Sequence, residues 1–227
     1  MDINELKDLY KGHRAFIIGN GPSLTPEILD RLALTKWATF GMNRIAWLYS
    51  KTFWRPKFYI GLTTALWDVR HRADILVGIR YSEIAICWDL YKGYLDDDYN
   101  VVYVHCNEDA VWSDDISISV NKFAVMAYPT MEIATYMGFN PLYLIGCDGD
   151  YKPPVDGIDV SHFDSAYRPF DAYPGYNYDK LNLDLQQAHE LAQVAADRLG
   201  IKIFNLSPDS KITTHSFMSL DEALNGH

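Results

Sequence analysis

Apolar residues along the chain fall into two kinds of run. Short unbroken stretches, at 15–18 and 141–145, have the length and composition of fully buried strands. Between such stretches, apolar residues recur at helical spacing, as in Ile28, Leu29 and Leu32 or Leu185, Ala188, Ala192, Ala195 and Leu199. Strand and helix periods taking turns predict an α/β fold: a Rossmann-like, mostly parallel sheet with helices on both faces. Thr25-Pro26-Glu27 reads as a helix start, with a capping hydroxyl, a proline at the first helical position and an acid in the first turn.

Further strands are expected over 37–42, 57–62, 83–88 and 101–105, with a final one over 201–206. Helices are expected over 45–49, 66–79 and 122–137, where Pro129 predicts a kink or break. Gly200 closes the late helix, and a short one fits 219–224. Asp96-Asp97-Asp98 reads as a solvated turn, and 107–119 has no clear period. The segment 151–182, rich in Tyr, Pro, Gly and Asp, lacks periodicity. A loop that long in a compact domain reads as a lid or binding loop, here set before the last long helix. There is no internal repeat, so 1–227 is expected to be a single domain with that lid inserted.

Composition narrows the function classes. Twenty Lys+Arg against 30 Asp+Glu give a net charge of −10, which argues against a broad nucleic-acid surface but not against a local anion pocket. Hydrophobic residues at 48% are ample for a packed core. No 18-residue apolar stretch predicts a transmembrane helix, and the start Met1-Asp-Ile-Asn-Glu-Leu-Lys7 lacks the apolar region of a signal peptide. Cys87, Cys106 and Cys147 form no CxxC and are expected to be reduced, part-buried thiols of a cytoplasmic protein.

In parallel sheets ligands bind beyond the carboxyl ends of the strands. Those ends carry Gly19-Asn20-Gly21-Pro22-Ser23, Asn43, Thr63, Asp148 and Ser207. The glycine turn reads as a phosphate or nucleotide cradle, or as an ordinary tight turn; it matches neither GxGxxG nor a Walker A loop. Asn43 reads as a nucleotide-facing amide or a helix cap, and Arg44 as a phosphate partner or a solvated cation. Asp148-Gly149-Asp150 offers two carboxylates for a ribose, for Mg²⁺ through nucleotide phosphates, or only for a turn. His162, within the long aromatic loop, is the candidate base; His189 is a weaker candidate. Tyr151, Tyr167, Tyr173, Tyr176 and Tyr178, with Arg168, crowd the same loop, either to bind phosphate and stack on rings or to pin the loop down. No Ser-His-Asp order, zinc spacing or HExxH occurs.

These pieces together resemble the MptE-like domain family, a Rossmann-type group named after an archaeal 6-hydroxymethylpterin diphosphokinase. The matching segments are IIGNGPSL at 17–24, FGMNRI at 40–45, MGFNPLYLIGCDGDY at 137–151, SHF at 161–163 and IKIFNLSPDSKI at 201–212. The GNGPSL start, the strand-ending Asn and the late proline turn are also similar to family 42 bacterial sialyltransferases, which use a CMP-sugar without a metal. By that resemblance Asn20, Gly21 and Ser23 match the nucleotide-phosphate loop, Asn43 the nucleotide-facing Asn, and Asp148 and Tyr151 the segment near the leaving phosphate. The sialyltransferase base would fall near Leu183, whereas His162 matches a His-Phe pattern of the MptE-like group.

The resemblance implies a nucleotide-dependent transferase, foremost a CMP-sugar-like glycosyltransferase of surface glycan synthesis. His162 and Asp148 would be catalytic, and Gly19, Asn20, Gly21, Pro22, Ser23, Asn43, Thr63 and Tyr151 would bind nucleotide. The alternatives are an ATP-dependent diphosphokinase, with Mg²⁺ on Asp148 and Asp150, and a non-catalytic nucleotide-binding module. Expected partners are a nucleotide or nucleotide-sugar donor and a small-molecule or glycan acceptor. The exposed aromatic loop is a candidate contact in a homo-oligomer.

Overall fold

The computed structural model describes all residues except 1, 69–70, 96–98, 168–174, 176 and 226–227. The strands are β1 (Ala15–Ile18), β2 (Ala38–Met42), β3 (Phe58–Gly61), β4 (Ile84–Trp88), β5 (Val101–Val104), β6 (Cys106–Asn107), β7 (Val120–Asn121), β8 (Leu142–Ile145), β9 (Ile203–Asn205) and β10 (Ser216–Phe217). The helices are α1 (Pro26–Ala33), α2 (Arg72–Arg80), α3 (Ala127–Tyr136), α4 (Tyr178–Leu199) and α5 (Leu220–Asn225). Eight strands form one sheet in the order β10-β9-β8-β1-β2-β3-β4-β5, and each described pairing in it is parallel. The short β6 and β7 pair separately.

Burial on both faces explains the unbroken apolar runs. In β1, Ala15 and Ile17 join Phe40, Phe58 and Leu144 on one face, with Met131 and Ile133 of α3 and Leu185 and Ala188 of α4 packed there. Phe16 and Ile18 face the opposite way, toward Tyr59 and Tyr143, under Leu29 and Leu32 of α1 and Ile75 and Ile79 of α2. The expected α/β Rossmann-like architecture, a parallel sheet with helices on both faces, is therefore the observed one.

Strand order also fixes where a ligand can enter. From β1 the chain runs outward through β2 to β5 on one side, while β8, β9 and β10 lie on the other. The order reverses between β1 and β8, and a crevice opens at the carboxyl ends of such a pair.

Several local expectations are corrected. The helix expected over 122–137 starts only at Ala127, because Ala124 has φ +58 and breaks the helical path. Pro129 is then the third residue of α3, where an amide has no acceptor within the helix, so the proline is tolerated without a break. The helix expected over 66–79 divides into a 3₁₀ turn at Thr64–Trp67 and α2. The long loop ends sooner than 182: Asn177 caps α4 by accepting the Lys180 N–H at 2.9 Å. Strand β9 is not the last, since β10 adds in parallel beside it. The triple aspartate at 96–98 lies outside the described residues. The three cysteines are buried and unpaired; burial pushes the Cys106 and Cys147 thiols up to about 12, so neither is a thiolate near neutrality. Among the described residues no helix is long and apolar enough to cross a membrane.

Candidate functional site

A cleft of about 440 Å³ opens at the carboxyl ends of β1 and β8. It brings together Gly19, Asn20, Gly21, Asn43, Thr63, Asp148, Asp150, Tyr151 and His162, which are scattered over more than 140 positions of sequence. Pro22 and Ser23 are not among its lining residues.

The glycines let two loops approach closely. A Cβ on Gly19 would lie 2.4 Å from the Gly146 carbonyl oxygen, and one on Gly21 would lie 1.9 Å from Asp148 Oδ2. The loops after β1 and β8 pack backbone to backbone and continue the ladder beyond the strands: Gly19 N–H donates to Ile145 O at 2.7 Å and Gly21 N–H to Gly146 O at 2.8 Å. Ser23 Oγ donates to Asp148 Oδ2 at 3.0 Å, and Ser23 N–H reaches the same oxygen at 3.4 Å. These donors are therefore engaged within the protein. Asp148 ties the two loops together, and burial holds its carboxyl above its ordinary value against the Ser23 hydrogen bonds.

What the glycine loop does present is the Asn20 side chain, 8% exposed. Its Nδ2 donates to Met42 O at 3.2 Å, while Oδ1 is buried without a partner among the described residues. A buried unpaired acceptor in a cleft is costly unless a ligand supplies the donor. Asn43, at the end of β2, adopts φ +52, a left-handed conformation that Asn tolerates better than most residues. It is held there by Tyr59 Oη donating to its carbonyl at 2.7 Å. Arg44 is buried rather than solvated. Its guanidinium donates to the Tyr167 carbonyl, lies 3.5 Å from Asp74 Oδ2, and packs over the Trp47 ring.

His162 reaches the cleft because its loop is stitched to the glycine loop: Phe163 N–H donates to Asn20 O at 3.0 Å. Asp159 Oδ2 lies 2.8 Å from His162 Nδ1, and both side chains are buried. The carboxylate accepts the Nδ1 proton and fixes the orientation of the ring. The imidazole is stacked on Tyr167, centroids 4.1 Å apart and planes within 5°, with the Tyr151 ring at 5.7 Å. Tyr151 is pinned in turn by Asn182 of α4, whose amide accepts from its N–H and donates to its carbonyl, each at 2.9 Å. Asp159 and Asn182 were not singled out from sequence. The D-x-x-H spacing was the available signal for the first; nothing local marks the second. Val125, Met126 and Ala127 also line the cleft at the start of α3, which has no side-chain cap. Tyr173, Tyr176 and Arg168 lie outside the described residues.

A divalent cation on Asp148 and Asp150 finds a poor donor set. Asp148 is turned to Ser23, Asp150 lies 2.6 Å from Lys152 Nζ, and no group of three His, Cys, Asp or Glu gathers among the described residues. The late proline turn supports the β8 loop instead: Ser207 Oγ accepts Cys147 N–H at 2.9 Å, and Ser210 Oγ donates to Cys147 O at 2.8 Å.

The fold is one that glycosyltransferases use. The MAf glycosyltransferase from Magnetospirillum magneticum AMB-1 superposes with a TM-score of 0.60 at 19% identity, covering 96% of this chain. This chain spans only 37% of that protein's length. A variant of the sialyltransferase CST-II, solved in complex with CMP, has a TM-score of 0.54 at 14% identity over 95% of this chain and 88% of its own. An α-2,3-sialyltransferase from Campylobacter jejuni in apo form has 0.52 at 16% identity over 92% and 81%. No protein-family model matches the sequence, and no curated protein matches it.

Proposed function

We propose that the protein is a nucleotide-sugar glycosyltransferase with a CMP-sugar-like donor, serving surface glycan synthesis, and that it belongs with the MptE-like group its motifs resemble. The observation that carries this reading is the cleft at the β1/β8 reversal, where an Asp159-oriented His162 shares one cavity with the unpaired Asn20 amide oxygen and Asn43. The shared fold with a sialyltransferase solved with CMP supports it. Asn20 and Asn43 take the nucleoside. The start of α3 and the Tyr151 hydroxyl favour the departing phosphate, since a helix N-terminus carries partial positive charge.

In the reaction, the acceptor hydroxyl oxygen forms a bond to the activated sugar carbon. The bond from that carbon to the phosphate oxygen breaks, the nucleotide leaves as its phosphate anion, and the hydroxyl proton passes to His162. Asp148 acts as a clamp between the two loops in the cleft wall. A diphosphokinase needs Mg²⁺, and the engagement of Asp148 and Asp150 with Ser23 and Lys152 weighs against that alternative.

The test is a thermal-shift panel of CMP, CDP, UDP, GDP, ATP and CMP-sialic acid, each with Mg²⁺ and with EDTA. A ligand at about 100 times its Kd raises stability by about 2.7 kcal/mol, which is readily seen. A shift with cytidine compounds that survives EDTA is expected. A shift with ATP that requires Mg²⁺ would restore the diphosphokinase. Binding without turnover of any donor would leave a nucleotide-binding module.

A further inference from the structure

The cleft wall holds a buried imidazole that the proposed reaction does not use. His189, in the middle of α4, lines the cleft and is only 1% exposed. It ends a chain of side-chain hydrogen bonds that begins at the protein surface. Gln193 Nε2 lies 2.7 Å from Asp197 Oδ1, Gln193 Oε1 lies 2.8 Å from His215 Nδ1, and His215 Nε2 lies 2.9 Å from His189 Nδ1.

The direction of this chain follows from chemistry. A carboxylate only accepts, so the Gln193 amide must turn its nitrogen to Asp197 and its oxygen to His215. His215 then donates from Nδ1, which leaves its Nε2 as an acceptor. His189 must fill that acceptor with its own Nδ1 proton. Each ring keeps one proton only, because burial pushes His215 down to about 4 and burial with the neighbouring ring pushes His189 down to about 3. What remains is a lone pair on His189 Nε2, with no hydrogen-bond partner among the described residues.

We infer that His189 Nε2 is a fixed hydrogen-bond acceptor for a hydroxyl of the sugar part of the bound substrate. Leu185 and Ile212 line the same cleft and offer a sugar hydroxyl no side-chain hydrogen-bonding atom. A lone pair attracts an uncharged O–H and repels phosphate or carboxylate oxygens, so it also orients the donor with its phosphate elsewhere. His189 is thus a binding and specificity residue, and His215, Gln193 and Asp197 position it. The sugar assignment rests on the glycosyltransferase reading.

The experiment is a long-range ¹H–¹⁵N correlation spectrum of the full protein labelled with ¹⁵N-histidine, free, with CMP and with CMP-sialic acid. Thermal shift reports in parallel which probe binds. In the free protein, His189 is expected as the Nδ1–H tautomer throughout the neutral range. Its Nε2 resonance is expected to move with CMP-sialic acid and to stay in place with CMP. An Nε2–H tautomer, or an unmoved Nε2 when CMP-sialic acid is bound, overturns the inference and leaves the glycosyltransferase reading intact. If neither nucleotide binds, that reading fails and the sugar assignment fails with it.

Variants give a second readout. His189→Phe should weaken CMP-sialic acid roughly tenfold, the loss of one hydrogen bond, and leave CMP within about twofold. His189→Gln, which restores an acceptor near Nε2, should recover most of that loss. Equal weakening of both ligands in His189→Phe, without recovery in His189→Gln, would mean a packing role only.

Discussion

A Cβ on Gly21 would fall 1.9 Å from Asp148 Oδ2 and 2.7 Å from the Gly146 carbonyl oxygen, and the second of these is backbone that cannot swing aside. Gly21→Ala is therefore expected to cost about 1–3 kcal/mol in urea unfolding, through overpacking at the joint between two loops. His162 makes the opposite kind of prediction. His162→Ala should lower kcat by about 10²–10⁴ and leave the Kd for CMP nearly unchanged, as isothermal titration and single-turnover assays can separate. Asp159→Asn should lower kcat less, because the ring loses its orienting carboxylate but keeps its stack on Tyr167. The buried His189 and His215 bear on acid stability. Both pKa values are lowered on folding, to about 3 and about 4, so between pH 6.5 and 4 the unfolded chain binds more protons than the folded one. The stability that these two histidines contribute is complete above pH 6.5 and falls as pH drops through that window. Each histidine contributes a slope approaching about 1.4 kcal/mol per pH unit. Urea midpoints measured from pH 7 to pH 4 should therefore fall less steeply in His215→Phe than in the parent.

At the level of elements, caps and periods were the readable part. Thr25 caps α1 as its sequence promised, with Oγ1 accepting the Ile28 N–H, and Gly200 closes α4 at φ +70. Nothing lies within 4 Å of a Cβ added at Gly200, so Gly200→Ala tests backbone conformation alone. It should cost about 1 kcal/mol in thermal or urea melts. The start of α3 was not readable. Lys122 to Met126 carry helix-compatible residues, but β7 pairs with β6 just before them and Ala124 turns left-handed. A nonlocal strand pairing overrode local propensity there. The extent of the long loop was misread for a related reason. The helical period of α4 is weak over its first two turns, where Tyr178 and the exposed Leu183 give no apolar stripe, and only the Asn177 cap marks the true start.

The whole molecule carries ten more acidic than basic side chains, and the only cation lining the cleft among the described residues, Arg44, is paired with Asp74 and the Tyr167 carbonyl. The proposed anionic donor would therefore approach a molecule of like net charge. Stopped-flow association of CMP-sialic acid should speed up as salt rises from about 0.01 to 0.1 M, where the screening length falls from about 30 to about 10 Å. A rate that fell with salt would point to an uncompensated basic patch. On this scale the division between sequence and structure is plain. The sequence by itself determined the alternation of strands and helices, because burial period and cap chemistry are local properties. From those it determined that the strand ends carrying Asn20, Asn43, Thr63 and Asp148 face one crevice, because parallel strands point their carboxyl ends the same way. Tertiary structure alone decided which partners those residues meet. Only when β8 is laid beside β1 do the glycines become a packing joint and Asp148 its clamp. Only when the loop at 159–163 is tied to Asn20 does His162 gain its carboxylate and its place. Only when the β9–β10 segment folds onto α4 does His215 meet His189 and set its proton. Each is a contact between residues distant in sequence, and no local pattern encodes which partners the sheet order will bring together.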